Sequence, residues 1–276
     1  IFPSKSEDVS SQEICPYMNE SAMGTLSSAL PQLMQESGKD IRIFLPRFGT
    51  VNERRHQLHE VIRLSGMNLI IDDFDHQLII KVASIQQQRM QVYFIDNEEY
   101  FPRRQMFHDH EGNLLKNNDE RMIFYCKGVI ETVRKLGWSP DVIHCQGWFT
   151  SLVPMYIKKL YSEDPLFENT KVIYSVFKDG YKGKLSDSII DKLLFEDLEV
   201  KDLNGLKNLN VNTLNKFAVS YADAVVQASE KINKTVLNNI QDSGKPFMQF
   251  PGDEEYESEY INFYENFIKT EEEVSV

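Results

Sequence analysis

Three short runs of β-branched residues constrain the fold of this chain more than any other feature. They are DVIHC at 141–145, KVIYSVF at 171–177 and DAVVQAS at 223–229. None of them alternates apolar and polar residues cleanly, which is typical of strands buried on both faces of a parallel sheet. Because helical patterns separate the runs, the sequence predicts an α/β sheet with right-handed crossovers.

The same pattern extends towards the start of the chain. A strand closed by proline is predicted at 41–46, and a hairpin is predicted from the runs at 78–85 and 90–96. The polar opening at 1–11 should hold the first strand, but only the part at 8–14 is expected to pair. Helices are predicted at 25–37, 121–136, 150–160, 211–221 and 230–240.

Composition narrows the class of protein. The net charge of −12 argues against a nucleic-acid partner and against an anionic membrane surface, because both need clustered Lys and Arg. No apolar run approaches the roughly 20 residues of a membrane-spanning helix, and the polar start does not resemble a signal peptide. The three widely spaced cysteines, Cys15, Cys126 and Cys145, favour buried thiols in a reducing compartment. We therefore expect a cytoplasmic protein.

The last part of the chain, 251–276, differs from the rest because it is acidic. Aromatic residues recur there at spacings of three and four, which predicts an amphipathic helix: Tyr256, Tyr260, Phe263, Tyr264 and Phe267. The stripe would pack on its own domain or bind a partner. We expect one domain over 1–250, followed by this helix and a solvated tail.

Five ordered motifs carry a resemblance to a known family. They are SQEICPY at 11–17, EYFPRR at 99–104, NNDER at 117–121, WSPDVIHCQGW at 138–148 and YADAVVQASEKI at 221–232. Their order resembles the amino-terminal domain of bacterial glycogen synthase and plant starch synthase, glucosyltransferases of the GT-B arrangement. The resemblance implies a single Rossmann-like domain with a mostly parallel sheet and helices on both faces.

The family's phosphate-binding motif is altered. The family pattern K-x-G-G-L supplies a lysine and two glycines whose backbone N–H groups approach the donor diphosphate. In this chain Asn19 stands for the lysine, Ser21 and Ala22 stand for the glycines, and Met23 stands for the leucine. The resemblance therefore implies a degenerate donor motif and no catalytic residue.

The family motif H-x-H-D-W-H is also reduced. Only His144 and Trp148 are kept, while Gln146, Gly147 and Phe149 occupy the other places. His144 is either a sugar ligand or a hydrogen-bonded core histidine. Trp148 either stacks on a glucose ring or packs under the following helix.

Two further family motifs are half kept. In T-x-H-N-x-x-Y the chain retains Tyr181 but has Phe177 and Lys178 in place of the histidine and asparagine. In D-N-x-x-R it retains Asn118 and Arg121. The resemblance thus implies these candidate substrate-binding residues: His144, Trp148, Tyr181, Arg121 and Asn118.

Two clusters outside the motifs have open interpretations. The loop at 108–111 holds two histidines and two acids, but neighbouring residues rarely share a metal without a further ligand, so we expect no metal and no cofactor. The segment NERRHQLHEVIR at 52–63 is either a glucan or partner patch or a solvated charged face.

These observations leave three hypotheses. In the family the acceptor glucan binds mainly to the first domain, and the donor binds mainly to a second domain that the sequence does not contain. The first hypothesis is a module without autonomous glucosyl transfer that binds an α-glucan, a synthase or a second copy of itself. The alternative is an ADP-glucose-dependent α-1,4-glucan synthase completed by another chain, and the third is a purely structural subunit.

Overall fold

A twisted, mostly parallel sheet forms the centre of the protein. The computed structural model describes residues 6–18, 21–85, 90–102, 105–178, 180–195, 198–252 and 255–269. The strands are β1 (Ser6–Ser11), β2 (Asp40–Pro46), β3 (His59–Glu60), β4 (Met67–Ile71), β5 (Phe74–Ile85), β6 (Met90–Asp96), β7 (Val142–Gln146), β8 (Lys171–Val176), β9 (Ala224–Gln227) and β10 (Phe247–Met248). Their order is β10-β9-β8-β7-β1-β2-β6-β5-β3, and β4 also pairs with β5.

Seven helices cover the two faces of the sheet within the described ranges. They are α1 (Ala22–Glu36), α2 (Asn118–Leu136), α3 (Val153–Lys159), α4 (Ile189–Leu194), α5 (Val211–Tyr221), α6 (Lys234–Asp242) and α7 (Tyr256–Lys269). Helices α1 and α7 pack on one face of the sheet, and α2 to α6 pack on the other. Each face of the sheet has its own apolar core. The predicted α/β fold with helices on both faces is confirmed.

The predicted parallel strands and the hairpin are confirmed. Strands β7, β8 and β9 pair in parallel on one side of the sheet. Strands β5 and β6 pair antiparallel from Ile79–Asp96 to Ile85–Met90, and their connection at 86–89 lies outside the described residues. The sequence did not predict β3, β4, β10 or α4, because these elements are short or lack a clear apolar period.

The first strand corrects the expectation for the start of the chain. Strand β1 runs over Ser6–Ser11 rather than 8–14, and it lies at the sheet centre between β2 and β7. Its polar side chains are buried. Ser10 shares a hydrogen bond of 3.0 Å with Tyr125, and Ser11 shares one of 2.9 Å with Ser27. Hydrogen bonds from neighbouring helices therefore allow a polar sequence to form the central strand.

The C-terminal aromatic stripe packs on the chain's own domain, one of the two alternatives. Tyr260 and Tyr264 are each 1% exposed and belong to the core beneath α1. Phe263 and Phe267 stack on one another at 6.2 Å and pack against the same core. The division of the chain near residue 250 stays a prediction, and the predicted tail from residue 270 lies outside the described residues. Among the described helices, none has the length and apolarity to cross a bilayer.

Candidate functional site

The altered motifs meet at β1, where the order of successive strands in the sheet reverses. From β1 the chain leads to β2 and β6 on one side, whereas β7, β8 and β9 lie on the other. The crevice at the carboxyl ends of two such strands is where open α/β sheets bind ligands. Gln12, the segment 21–23 and the segment 146–149 surround it, and we call this group the switch-point site.

The start of α1 is occupied by its own side chains. Ser21 is the N-cap, and its hydroxyl accepts a hydrogen bond of 2.9 Å from the Gly24 N–H. The same hydroxyl donates to the Glu13 carboxylate at 2.7 Å. Free N–H groups at a helix start attract anions, but here one is capped and a carboxylate lies beside it. Ala22 is exposed on the first turn, and Asn19 lies outside the described residues.

Gly147 shows why the family's aspartate is absent. Its φ of +85° lies in the left-handed region that favours glycine. A Cβ there would lie 2.7 Å from Gln12 Oε1 and 2.9 Å from the terminal methyl of Met23. Gln12 Oε1 in turn accepts a hydrogen bond of 3.2 Å from the Phe149 N–H. The space for an aspartate side chain is therefore filled by Gln12 and Met23.

Gln146 replaces the second histidine of the motif with a neutral amide. Its side chain is fully buried, and its Oε1 accepts a hydrogen bond from the Ser27 hydroxyl. Its Nε2 has no hydrogen-bond partner among the described residues. The amide points into the protein and brings no charge to the crevice.

Phe149 and Trp148 belong to one aromatic cluster. The Trp148 ring lies 4.6 Å from Tyr181 and 4.7 Å from Phe107, measured between ring centroids. Phe149 is fully buried, 5.2 Å from Phe107 and stacked at 5.5 Å on Tyr125. The third histidine of the family pattern is thus replaced by a phenyl ring that only packs.

His144 lies on the opposite face of the sheet, under α7. The imidazole is fully buried; its Nε2 is 2.7 Å from the Ser175 hydroxyl, and its Nδ1 is hydrogen-bonded to the Tyr264 hydroxyl. Burial lowers the pKa of His144 to about 3, so the ring is neutral. The environment is that of a hydrogen-bonded core histidine, and contact with a sugar stays a prediction that would require α7 to move.

The other candidate residues hold the loops before α2 and α5. Arg121 is 1% exposed and donates to the Tyr100 carbonyl at 2.8 Å and to the Met106 carbonyl at 2.6 Å. Asn118 accepts from Arg121 at 2.6 Å, and Tyr181 donates to the Leu209 carbonyl at 2.8 Å. These side chains, with Trp148, face the protein interior and position loops around the crevice. A direct sugar contact by any of them stays a prediction.

The structure adds three residues that the sequence did not single out for the site. Gln12 and Ser27 fill the crevice from the end of β1 and from α1, and Glu13 lies beside the helix start. Tyr264, which the sequence named only as part of the aromatic stripe, closes the opposite face. Glu13 belongs to the SQEICPY motif, which was the available signal. The partners Gln12–Phe149 and His144–Tyr264 are more than a hundred residues apart in sequence, so no local pattern indicated them.

The histidine-rich loop at 108–111 has an internal explanation. Asp109 Oδ1 accepts hydrogen bonds from the Glu111 N–H at 2.9 Å and from the Asn113 N–H at 2.8 Å, and these bonds lower the pKa of the carboxyl. Across the described part of the chain, no group of three or more His, Cys, Asp or Glu side chains has a metal-binding arrangement. The loop is a turn around Asp109.

Comparison with known proteins places this geometry in a family. Residues 9–245 match the family model for the starch synthase catalytic domain. The glycogen synthase of Chlorobium limicola is 35% identical over 234 residues, which are 84% of this chain and 47% of the relative. That of Chlorobaculum tepidum is 33% identical over 230 residues, 83% and 46% of the two chains. This chain spans about half the length of the curated relatives it matches.

A solved structure agrees with the sequence relatives. The catalytic domain of starch synthase IV from Arabidopsis thaliana, bound to ADP and acarbose, superposes with a TM-score of 0.72 at 18% identity. The match covers 90% of this chain and 51% of that one, which supports the fold. On the match over residues 9–245 and the identity to glycogen synthases, this chain belongs to the starch synthase catalytic domain family.

Proposed function

We propose that this chain acts as the acceptor-side domain of a glycogen or starch synthase without glucosyl transfer of its own, and that it binds an α-glucan or a protein. The observation that carries the proposal is the start of α1. There Ser21 caps the Gly24 N–H, and the Glu13 carboxylate lies at hydrogen-bond distance from Ser21.

A transferred glucosyl group leaves behind a nucleoside diphosphate, whose developing charge needs cations or free N–H donors. At the switch-point site the Gly24 N–H already donates to the Ser21 hydroxyl, and the Glu13 carboxylate adds a negative charge close by. Both effects oppose a diphosphate at this helix start. The neutral contents of the crevice at Gln146 and Phe149 supply no compensating positive charge.

The α-glucan is the partner favoured by family membership, because the curated relatives are named glycogen synthases. The same names favour a second candidate, an ADP-glucose-dependent glucosyltransferase that is completed by another chain. The two candidates differ in one property: whether the chain by itself transfers glucose.

Incorporation of radioactive glucose from ADP-glucose into glycogen primer separates the two. The purified chain is assayed beside the Chlorobium limicola glycogen synthase as a positive control. We expect no incorporation above the level without protein. Turnover by the chain alone would contradict the proposal, and turnover that appears only when a second protein is added would favour the second candidate.

Retention in a glycogen-containing native gel tests the binding part of the proposal. We expect the chain to migrate more slowly in the glycogen gel than in a plain gel, relative to an unrelated acidic protein of similar size. If migration is unchanged, the glucan is not its partner.

A further inference from the structure

Helix α7 lies outside the part of the chain that matches the family model. The match covers residues 9–245, whereas α7 runs over Tyr256–Lys269. The segment 249–255 joins it to β10, and Gly252 in that segment has a φ of +83° and nothing within 4 Å of its Cβ position. Because α7 pairs with no strand and is joined to β10 through one segment, it can leave the sheet while the strands stay paired.

Polar side chains from three neighbouring strands lie beneath α7. Glu7 of β1, His144 of β7 and Ser175 of β8 are each fully buried. Glu7 points to the same face of the sheet as Val9, which belongs to the apolar core that α1 and α7 cover. His144 is hydrogen-bonded to Ser175 at 2.7 Å and to the Tyr264 hydroxyl of α7. The helix therefore covers a polar patch of the sheet.

Glu7 differs from its two neighbours in this patch, because neither oxygen of its carboxyl has a hydrogen-bond partner among the described residues. The charged groups that act on it are Lys39, before β2, and Asp141, before β7, and they shift its pKa in opposite directions. From α7 the neighbouring group is the Tyr264 hydroxyl, whose pKa is raised by burial and then by the Glu7 charge. Asp8 points to the opposite face of the sheet. A buried carboxyl without partners is favoured in its neutral, protonated form.

The contact between α7 and α1 is incomplete. A cavity of about 560 Å³ lies between the two helices, lined by Leu26 and Ala29 of α1 and by Tyr256 of the first turn of α7. Side chains that face a cavity have fewer partner atoms, so they hold the helix less firmly. Among the described side chains of α7, Tyr260 and Tyr264 are fully buried. The helix is thus held mainly through these two tyrosines, at the polar patch.

We infer that α7 is a pH-sensitive strap, which stays on the sheet while Glu7 is protonated and detaches when Glu7 ionises. Detachment lets water reach the carboxylate, so the charge no longer has to be buried. It also uncovers the imidazole of His144 and opens the cavity between α1 and α7. The inference concerns the hold of α7 on the sheet and does not depend on the proposed function.

The direction of the effect follows from the two states of Glu7. Burial is the main cause that raises its pKa from 4.5 to about 7 while α7 is docked. With α7 detached, water reaches the carboxyl and its pKa returns towards the ordinary value of a glutamate. Docking is therefore strongest below pH 4.5, and this advantage is lost as the pH rises through about 7.

Hydrogen exchange of the full chain, measured by mass spectrometry at about pH 6 and about pH 8, tests the inference. Each exchange rate is converted to a protection factor, which removes the intrinsic effect of pH on exchange. We expect the protection of α7 to fall about tenfold between the two conditions, as the docking equilibrium does. We also expect α7 to be less protected than α2 in both, because the strap opens while the rest of the domain stays folded.

Three substitutions connect the effect to Glu7. Glu7→Gln removes the titrating group, so the protection of α7 should become nearly independent of pH. Glu60→Gln is the matched control, because Glu60 is an exposed glutamate on β3, and the tenfold fall should remain. Lys39→Gln removes a cation that lowers the pKa of Glu7, so the fall in the same pH range should become larger.

Each other outcome overturns the inference. Equal protection of α7 and α2 would mean that the whole fold opens together and that α7 is not a separate strap. Protection of α7 that does not change with pH, or that falls equally in Glu7→Gln, would mean that Glu7 does not control the helix. Melting curves verify that each variant is folded, and if Glu7→Gln does not fold, the comparison of Lys39→Gln with Glu60→Gln decides the test.

Discussion

The switch-point site and the turn at 52–57 border the same depression, which Ser21 and His56 both line, yet their polar side chains are used in opposite ways. At the switch-point site the side chains of Gln12, Ser21 and Ser27 are used within the protein. In the turn at 52–57, the side chains of Arg55 and His56 have no hydrogen-bond partner among the described residues. Polar groups that are satisfied internally support structure, whereas those left free can recognise a ligand. Substitutions should therefore affect stability more in the first region than in the second.

The largest effect is expected at Gly147. Gly147→Asp restores the family residue but places a Cβ 2.7 Å from Gln12 at a φ of +85°. We expect a loss of about 3 kcal/mol in the free energy of unfolding, from the strained backbone and from displacing Gln12 from its hydrogen bond to the Phe149 N–H. Urea denaturation measures it.

Gly112→Asp is the matched control, because Gly112 has the same φ of +85° and nothing within 4 Å of its Cβ position. Gly112→Asp should lose about 1 kcal/mol of the free energy of unfolding, because only the strained backbone contributes there. Equal losses at the two positions would show that the crevice is not filled as described.

The next effect concerns pH and the buried carboxyl of Glu7 on β1. Burial is the main cause that raises its pKa from 4.5 to about 7. The protonated form is favoured in the folded state, so its contribution to stability is present below pH 4.5 and is lost as the pH rises through about 7. The shift corresponds to up to about 3 kcal/mol.

Glu7→Gln removes this titration. The variant should lose less stability than the unsubstituted chain between pH 5 and pH 8, as measured by urea denaturation at each pH. The neighbouring Asp8 also has a raised pKa from burial, and it is present in both proteins, so its effect cancels in the comparison. Parallel pH profiles would contradict the assignment of Glu7.

A smaller effect is expected from the Tyr264 hydroxyl. Tyr264→Phe leaves the buried Nδ1 of His144 without its partner, which should cost about 2 kcal/mol of stability. Tyr256→Phe, on the same helix but only partly buried, should change stability little. Thermal melts of both variants test whether His144 is a core residue. If the two melt alike, its hydrogen bond to α7 is not stabilising.

The smallest effect on stability is expected in the turn at 52–57. Arg55→Ala should change the free energy of unfolding by less than about 0.5 kcal/mol, because the side chain is exposed. Ser21→Ala, which removes a helix cap at the switch-point site, should cost about 1 kcal/mol. Denaturant titrations of the pair compare the two regions directly, and a larger loss at Arg55 would reverse the distinction between them.

Much of the fold could be predicted because its strongest elements are local patterns. The β-branched strands β7 and β8 and the apolar period of α2 appear in the sequence without reference to distant residues. Strand β1 was less clear, since its Glu7 and Asp8 are polar and their burial depends on the surrounding sheet. Short elements such as β10 exist only through pairing with a neighbour.

The site was predictable in its chemistry but not in its packing. The resemblance identified Ser21, Gly147 and Phe149 as changed positions. The structure shows that Ser21 caps α1, that Gln12 and Met23 fill the space beside Gly147, and that Phe149 is buried. The role of Gln12 could not be foreseen, because its partner Phe149 is 137 residues away. The depressions beside the turn at 52–57 also depend on tertiary contacts, since Tyr17 and His56 come together only after α1 and the turn have packed.

Titration calorimetry of the full chain with ADP and with ADP-glucose tests the central claim most directly, namely that the start of α1 does not hold a diphosphate. We expect no binding tighter than about 1 mM for either nucleotide, a free energy of about −4 kcal/mol at most. A Kd in the micromolar range for ADP, made still tighter by Glu13→Lys, would contradict the account. Micromolar affinity would mean that phosphate is held despite the capped N–H and the neighbouring carboxylate.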